Sequence, residues 1–466
     1  MKAGRVLVIL ALGIVVLLVL GLGVAAQGPG GTWVSGIQIQ NQSDAYTTTI
    51  TIEFFRTDGT VAKVFTDTIA AGKSKTYYVP AHIPGLEDDF IGSAVVSSSQ
   101  PVAAILNTQE DSPGTEAEPK RLGSAIGVAE PATEAFAPYL RKGYYGRNSY
   151  MAVQNTSGSE ATVYVSYRDG SGAALPTAGE TAVVPEYSTK IFYQDASANL
   201  PSGFYGSAVI TSTAPLAVVV NNANESTSYQ TSGFESYNGF SSGAAKTKLY
   251  LPKLTINYYG FQTGFQIQNA GTVAATMAMS YTFGSTSYYK TSPSIEPGAA
   301  WSVYLANYPK SGLPEGLSGP GAAIVTSGQP MVGVVIENKS DLGYSAISSA
   351  VPDGSGSSTV LFPKFDRTYY DYNGGIQVQN LGTVATTLQA TFSLAGRTDV
   401  TVTSDPVPPG GSAYWYGPNV SGLTEAFYGS VVVISLEDQP IAGVYTSKNG
   451  VKKGDSYTAY NGIQKE

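Results

Sequence analysis

Gly36-Ile37-Gln38-Ile39-Gln40-Asn41 alternates apolar and polar residues, stops at an asparagine and meets Ser43 just beyond it. That is the pattern of a half-buried strand entering a turn. It returns as Tyr150-Met151-Ala152-Val153-Gln154-Asn155, as Gly264-Phe265-Gln266-Ile267-Gln268-Asn269 and as Gly375-Ile376-Gln377-Val378-Gln379-Asn380. The closing asparagines recur at near-equal intervals of ~110 residues, the length of a domain rather than of a solenoid turn. The chain therefore reads as one module used four times.

Outward from this stretch the same features recur. The next strand carries Ile50, Ile52 and Phe54 on one face, matched by Val163, Val165 and Tyr167, by Met277, Met279 and Tyr281, and by Leu388, Ala390 and Phe392. One face of the sheet is apolar in every copy, which fixes its register. Turn signals follow at Asp58-Gly59 and Asp169-Gly170, then at Ala71-Gly72, Pro185-Glu186, Pro297-Gly298 and Pro409-Gly410. Each copy then passes an aromatic strand and reaches a proline (Pro101, Pro215, Pro330, Pro440) whose distance from the asparagine of its copy is constant to within one position. The continuous apolar run after that proline suits a strand covered on both faces.

Three copies begin with an extra strand containing Pro138, Pro252 or Pro363, each at the same distance ahead of Asn155, Asn269 or Asn380. Proline inside a strand is tolerated at an edge or a bulge, so this strand is expected to be peripheral. In the first copy the same count back from Asn41 lands in the hydrophobic N-terminus, so that copy is expected to lack the strand once the N-terminus is removed.

The N-terminus supplies an address. Lys2 and Arg5 precede an apolar run, and Val24-Ala25-Ala26 places small residues where a signal peptidase cuts. Residues 6–26 are also long enough for an uncleaved membrane anchor. Cysteine is absent from the 466 residues, so neither disulfides nor thiolate metal sites form and each module must bury apolar area instead. The net charge of −8 offers no basic stripe for a nucleic-acid partner.

Short strands with a turn every ~8–12 residues and no helical periodicity predict an all-β chain. The expected fold is four tandem immunoglobulin-like β-sandwich domains after a hydrophobic signal or anchor helix. The expected boundaries are 1–26 for that helix, then 33–109, 135–240, 247–350 and 359–466, the first domain lacking its first edge strand. Hydrophilic joints are expected at 110–118, 241–245 and 353–358. Joined end to end, such sandwiches would make a rod of roughly 120–150 Å.

The strand, Asn turn, Asp-Gly turn, Pro-Gly turn and closing hairpin resemble bacterial Ig-like surface domains of the cell-adhesion-related (CARDB) kind. The resemblance covers all four modules and implies adhesion, spacing or surface assembly, with no catalytic motif to carry over. Partners would then be other surface proteins or copies of the chain itself, with glycans as an alternative.

Catalysis has little to work with. His82 has no counterpart in the other copies and reads as a loop histidine, Glu87-Asp88-Asp89 reads as a solvated acidic loop, and no cofactor motif is present. The better candidates are the pairs Tyr144-Tyr145, Tyr258-Tyr259 and Tyr369-Tyr370, whose rings could stack on sugars or on a protein partner. The competing reading packs one tyrosine of each pair between neighbouring modules. The C-terminal segment 456–463 resembles 235–240 and reads as a strand of its own module or, alternatively, as a strand donated to the first module of another chain. Asn-X-Ser/Thr sequences begin at Asn41, Asn155, Asn224, Asn338 and Asn419.

Overall fold

The computed structural model describes residues 31–224, 232–284, 286–394 and 396–465, and the backbone pairing of residues 13–19. The first repeat contains β1 (Gly13–Val19), β2 (Trp33–Asn41), β3 (Thr48–Arg56), β4 (Val61–Ile69) and β5 (Ser74–Tyr78), then β6 (Gly92–Ser98), β7 (Val102–Glu110) and β8 (Lys120–Ile126). The second runs β9 (Ala132–Lys142), β10 (Arg147–Asn155), β11 (Ala161–Asp169), β12 (Glu180–Val184), β13 (Thr189–Tyr193), β14 (Phe204–Asn224), β15 (Phe234–Asn238) and β16 (Phe240–Ser241). The third runs β17 (Lys246–Ile256), β18 (Gln262–Asn269), β19 (Met277–Phe283), β20 (Thr286–Thr291), β21 (Ala300–Tyr304), β22 (Gly319–Lys339), β23 (Tyr344–Ser349) and β24 (Val351–Pro352). The fourth runs β25 (Thr359–Tyr369), β26 (Tyr372–Asn380), β27 (Leu388–Ser393), β28 (Val400–Thr403), β29 (Ser412–Tyr416) and β30 (Phe427–Ser435). It closes with β31 (Ile441–Asn449), β32 (Gly454–Asp455), β33 (Tyr457–Asn461) and β34 (Ile463–Gln464).

The chain is all-β, its strands stacked as sheets, antiparallel apart from the pairing of β32 with β8, consistent with immunoglobulin-like sandwiches. In the second repeat β12-β11-β14-β9-β16 forms one layer and β13-β10-β14-β15 the other, the 21-residue β14 passing from the first into the second. In the first and fourth repeats that long strand is divided, into β6 and β7 and into β30 and β31. Each repeat keeps its own core: Ile37, Ile39, Ile50, Ile52 and Phe54 in the first, for example, are wholly buried. Such residues contribute about 1.5–3 kcal/mol each through burial.

The four asparagines serve the turn in one manner. The Asn380 side-chain amide donates to the carbonyls of Val384 (2.8 Å) and Val407 (2.9 Å), while its oxygen accepts from the Gly382 N–H (2.9 Å). Asn41, Asn155 and Asn269 make the equivalent bonds and are buried. The glycosylation patterns that start at Asn41 and Asn155 are therefore closed to an attached sugar. The one at Asn224 extends outside the described residues.

Several expectations are corrected. Gly13–Val19 is a strand, not part of a helix, and it pairs antiparallel with β6. Among the described residues no helix is long and apolar enough to cross a membrane. The register Val16↔Val95 is that of Phe136↔Val209, Tyr250↔Ile324 and Leu361↔Val432 in the other repeats, so β1 fills the place of their first strand. With its N-terminus in place the first repeat thus has the strand that it was expected to lack after cleavage. Its second sheet also extends to β8, past the 109 boundary, because Lys120–Ile126 pairs with β7.

The first strands are not peripheral either. Pro138, Pro252 and Pro363 sit at register shifts, where two residues of β9, β17 or β25 oppose one of the partner strand. The bulge spares the proline a ladder bond it has no N–H to make. These strands run between two neighbours in their sheet and are covered from outside by the next repeat, β9 by β18 and β22, β17 by β26 and β31, β25 by β2 and β7.

That covering is the plan of the molecule, and it replaces the rod. The equivalent outward residues Ile105, Val219, Val334 and Val444 each join an apolar cluster with the preceding repeat, the first repeat docking on the fourth. The tail strands meet in the same cyclic order, β8 with β15, β15 with β23, β23 with β33 and β33 with β8. One patch of each repeat meets a different patch of its neighbour, and after four steps the arrangement closes. Equivalent features therefore face the same end of a ring.

The polar residues of the recurring stretch belong to these seams. Gln38, Gln40, Gln154, Gln266, Gln268, Gln377 and Gln379 are all buried rather than facing solvent. Gln268 donates to the Ala208 carbonyl of the second repeat (3.0 Å), Gln377 to the Gly321 carbonyl of the third (3.3 Å) and Gln38 to the Pro363 carbonyl of the fourth.

Candidate functional site

The hairpins that join the first strand of a repeat to its asparagine strand carry the tyrosine pairs. Tyr145, Tyr259 and Tyr370 all lie at φ 48–49°, a left-handed backbone that is a true outlier for a bulky aromatic residue. Their rings meet those of Tyr144, Tyr258 and Tyr369 edge-to-face, at centroid distances of 4.6, 4.5 and 4.7 Å. The outer tyrosines are exposed to 82, 77 and 76%. By the ring arrangement the three pairs decorate one end of the molecule. The inner tyrosines differ: Tyr144 packs on Tyr205 and Tyr369 on Tyr428, both at 4.6 Å, whereas the third repeat has Pro320 at that position and leaves Tyr258 exposed. Tyr205 in turn shares a hydrogen bond with Ser302 of the next repeat, so the pair sits at the mouth of a seam.

Beneath these hairpins lie buried charges that the sequence did not single out. In the second repeat Arg141 and Arg147 share the carboxylate of Glu235, Arg141 at 2.7 Å, and Ser345 of the third repeat donates to the same group. Burial alone would push the Glu235 carboxyl up; the two guanidiniums outweigh it and hold the group below its ordinary value. In the third repeat Lys253 pairs with Glu337, which also accepts from Thr255 and from Tyr457 of the fourth. In the fourth, Asp366 accepts from Ser447 (2.7 Å) and Tyr445, with Lys364 at 3.5 Å. Lys253 and Lys364 directly follow the bulge prolines and Arg141 comes three residues after one, a signal that could have been read; Glu235 and Glu337 come from other strands, without local spacing to betray them, whereas Asp366 lies two residues past Lys364 in β25.

One residue ties the ring together. The Asp455 carboxylate accepts from the Phe234 N–H of the second repeat (2.9 Å) and the Ser345 N–H of the third (3.0 Å), while β32 pairs in parallel with Lys120 and Arg121 of the first. Burial pushes this carboxyl well above its ordinary value, against the pull of those two N–H groups.

The second and third repeats leave a cleft of about 1660 Å³ along their seam. Arg141, Tyr144, Tyr145, Arg147, Tyr205 and Glu235 line one side, and Trp301, Ser302, Tyr304 and Asn338 line the other.

The other sequence candidates stay apart from these features. His82 ends a one-turn helix, α1 (Val79–His82), where its Nδ1 accepts from the Tyr78 N–H (3.0 Å). Glu87 pairs with Arg56 at 2.7 Å on the surface, and the described residues hold no cluster of metal-ligating side chains. The C-terminal segment pairs within its own repeat, β33 with β31 and β34 with β25, and is not available as a donated strand.

No family model matches the chain, and no curated protein matches it. Among solved structures, protein 1070 of Thermotoga maritima is similar at 20% identity and a TM-score of 0.21, over 25% of this chain and 94% of its own. A tetra-tandem repeat from the extending region of a large adhesion protein is similar at 10% identity and a TM-score of 0.12, over 97% of this chain and 99% of its own. The major pilin of Streptococcus pyogenes is similar at 9% identity and a TM-score of 0.13, over 83% and 97%.

Proposed function

We propose that this chain is a non-catalytic structural and adhesion protein of a prokaryotic cell surface. The observation that carries the reading is the repeated outer tyrosine, exposed at a strained φ in three repeats that face the same end of one closed body. Strain at a bulky residue persists only where the surrounding structure holds it, and such residues concentrate at binding surfaces. The export signal read from residues 1–26 and the hydroxyl-rich composition agree with an extracellular setting. Its partners are other surface proteins or further copies of the chain, and it needs no cofactor. Immuno-electron microscopy of intact producing cells, with an antibody to this chain, is the test. Label on the outer face is expected; label confined to the interior would refute the proposal.

A second reading, carbohydrate binding through the tyrosine hairpins, is favoured by the ring geometry itself. A tyrosine presents a flat apolar face with a polar rim at little cost in conformational entropy. A glycan array reads it: saturable binding that disappears when Tyr145, Tyr259 and Tyr370 are all replaced by Asn supports this reading, and an array without binding removes it.

A further inference from the structure

We infer that the cleft between the second and third repeats is a binding site for an acidic oligosaccharide, gripped by Arg141 and Arg147 at its floor and by tyrosine rings at its mouth. The inference rests on the carbohydrate-binding reading and adds a place and a ligand class to it.

Charge at the floor is the first argument. Two guanidiniums share the single carboxylate of Glu235, whereas the equivalent positions of the third and fourth repeats set one lysine against one acid. Arg141 is 5% exposed, and its Nε is buried without a hydrogen-bond partner while the residue lines the cleft. A buried guanidinium N–H left unmade is costly, and an anionic oxygen from a ligand would satisfy it. Asp455, the other acid nearby, has both carboxylate oxygens turned to backbone N–H groups. On the rim Lys290 and Lys310 offset Asp169 and Glu296, so the excess positive charge stays at the floor.

Shape and lining are the second. At about 1660 Å³ the cleft exceeds the roughly 300–1,000 Å³ of sites for small molecules, which favours an oligomer over a single sugar. Tyr144 and Tyr205, tilted against each other at 4.6 Å, line the cleft together with the exposed rings of Tyr145 and Tyr304. Short polar side chains such as Ser302, Asn307 and Asn338 line it too. Rings for sugar faces and amides or hydroxyls for sugar hydroxyls suit a glycan better than a peptide, whose side chains call for aliphatic pockets.

Titration calorimetry of the full chain with hexagalacturonate, neutral cellohexaose and hexaglutamate tests this. Saturable binding of the hexagalacturonate is expected, at least about tenfold tighter than the other two, since one charge-assisted bond supplies that factor. Tyr145→Asn, which tolerates the left-handed backbone, and Tyr304→Ala should each weaken it about fivefold or more at unchanged melting temperature. Tyr259→Asn and Tyr370→Asn, outside the cleft, should leave it unchanged. Equal or tighter binding of cellohexaose or hexaglutamate, or no binding at all, overturns the inference. Array binding that depends on Tyr259 but not on Tyr145 would overturn it too, while leaving the general carbohydrate reading intact.

Discussion

Asn380 spends both ends of its amide on the turn it closes, joining two carbonyls, that of Val407 buried, and one N–H. Asn380→Ala removes three hydrogen bonds and strands the buried Val407 carbonyl among their partners, a loss of about 2–4 kcal/mol. The urea midpoint should fall accordingly; a change under about 1 kcal/mol would contradict the assigned role. This role was legible in the sequence, because asparagine is the residue whose side chain imitates a backbone turn. The role of Gln38 and its equivalents was not. Alternation separates two faces of a strand but does not say whether the polar one meets water or a second sheet. An amide that donates to the carbonyl of another repeat looks, in one dimension, like a solvated one. The tyrosine pairs were visible as a repeat, yet their left-handed backbone and the arginines beneath them depend on strands far apart in the chain.

At the scale of the element, the bulge prolines and β1 are instructive. Proline excluded a regular interior strand, and of the two places left to it, edge or bulge, the strands take the bulge because the next repeat covers them. Hydropathy read residues 6–26 as an export segment, and that reading competes with a second use of the same residues. Gly13–Val19 completes the first sheet in the register that its siblings use. A chain that begins at Gln27 should therefore expose the edge of β6. Hydrogen exchange should show the amides of Gly92–Ser98 losing protection by about tenfold or more relative to those of β30, which keeps its partner β25. Equal protection in β6 and β30 would mean that β1 adds nothing to the first sandwich.

For the whole molecule, the seams link stability to pH. Glu235 and Glu337 have folded-state pKa values below the ordinary 4.5, each held down by its basic partners and by hydroxyls donated from the next repeat. The unfolded chain therefore binds more protons in acid. Stability is full above about pH 4.5 and is lost as pH falls through and below it. Asp455, raised by burial, acts in the opposite sense between about pH 6 and about pH 4, so the readout is the difference between wild type and Glu235→Gln: calorimetry from about pH 6 to about pH 3 should show the variant melting lower at the start and the gap narrowing as pH falls below about 4.5. A gap that stays constant or widens over that range would contradict the assignment of Glu235. In base the sign reverses: burial raises the phenols of Tyr445, Tyr457 and Tyr460 above 10, so their contribution is present below pH 10 and lost as pH rises beyond it.

The count of four repeats was plain from the asparagine spacing, but their closure was not. Tail strands that meet around an axis carry no periodicity that distinguishes a ring from a row. Small-angle scattering of the purified chain is the most direct test of the ring. A closed body of 466 residues should give a radius of gyration of about 23 Å. Repeats strung end to end would give about 35–43 Å, and a value in that range would contradict the closure.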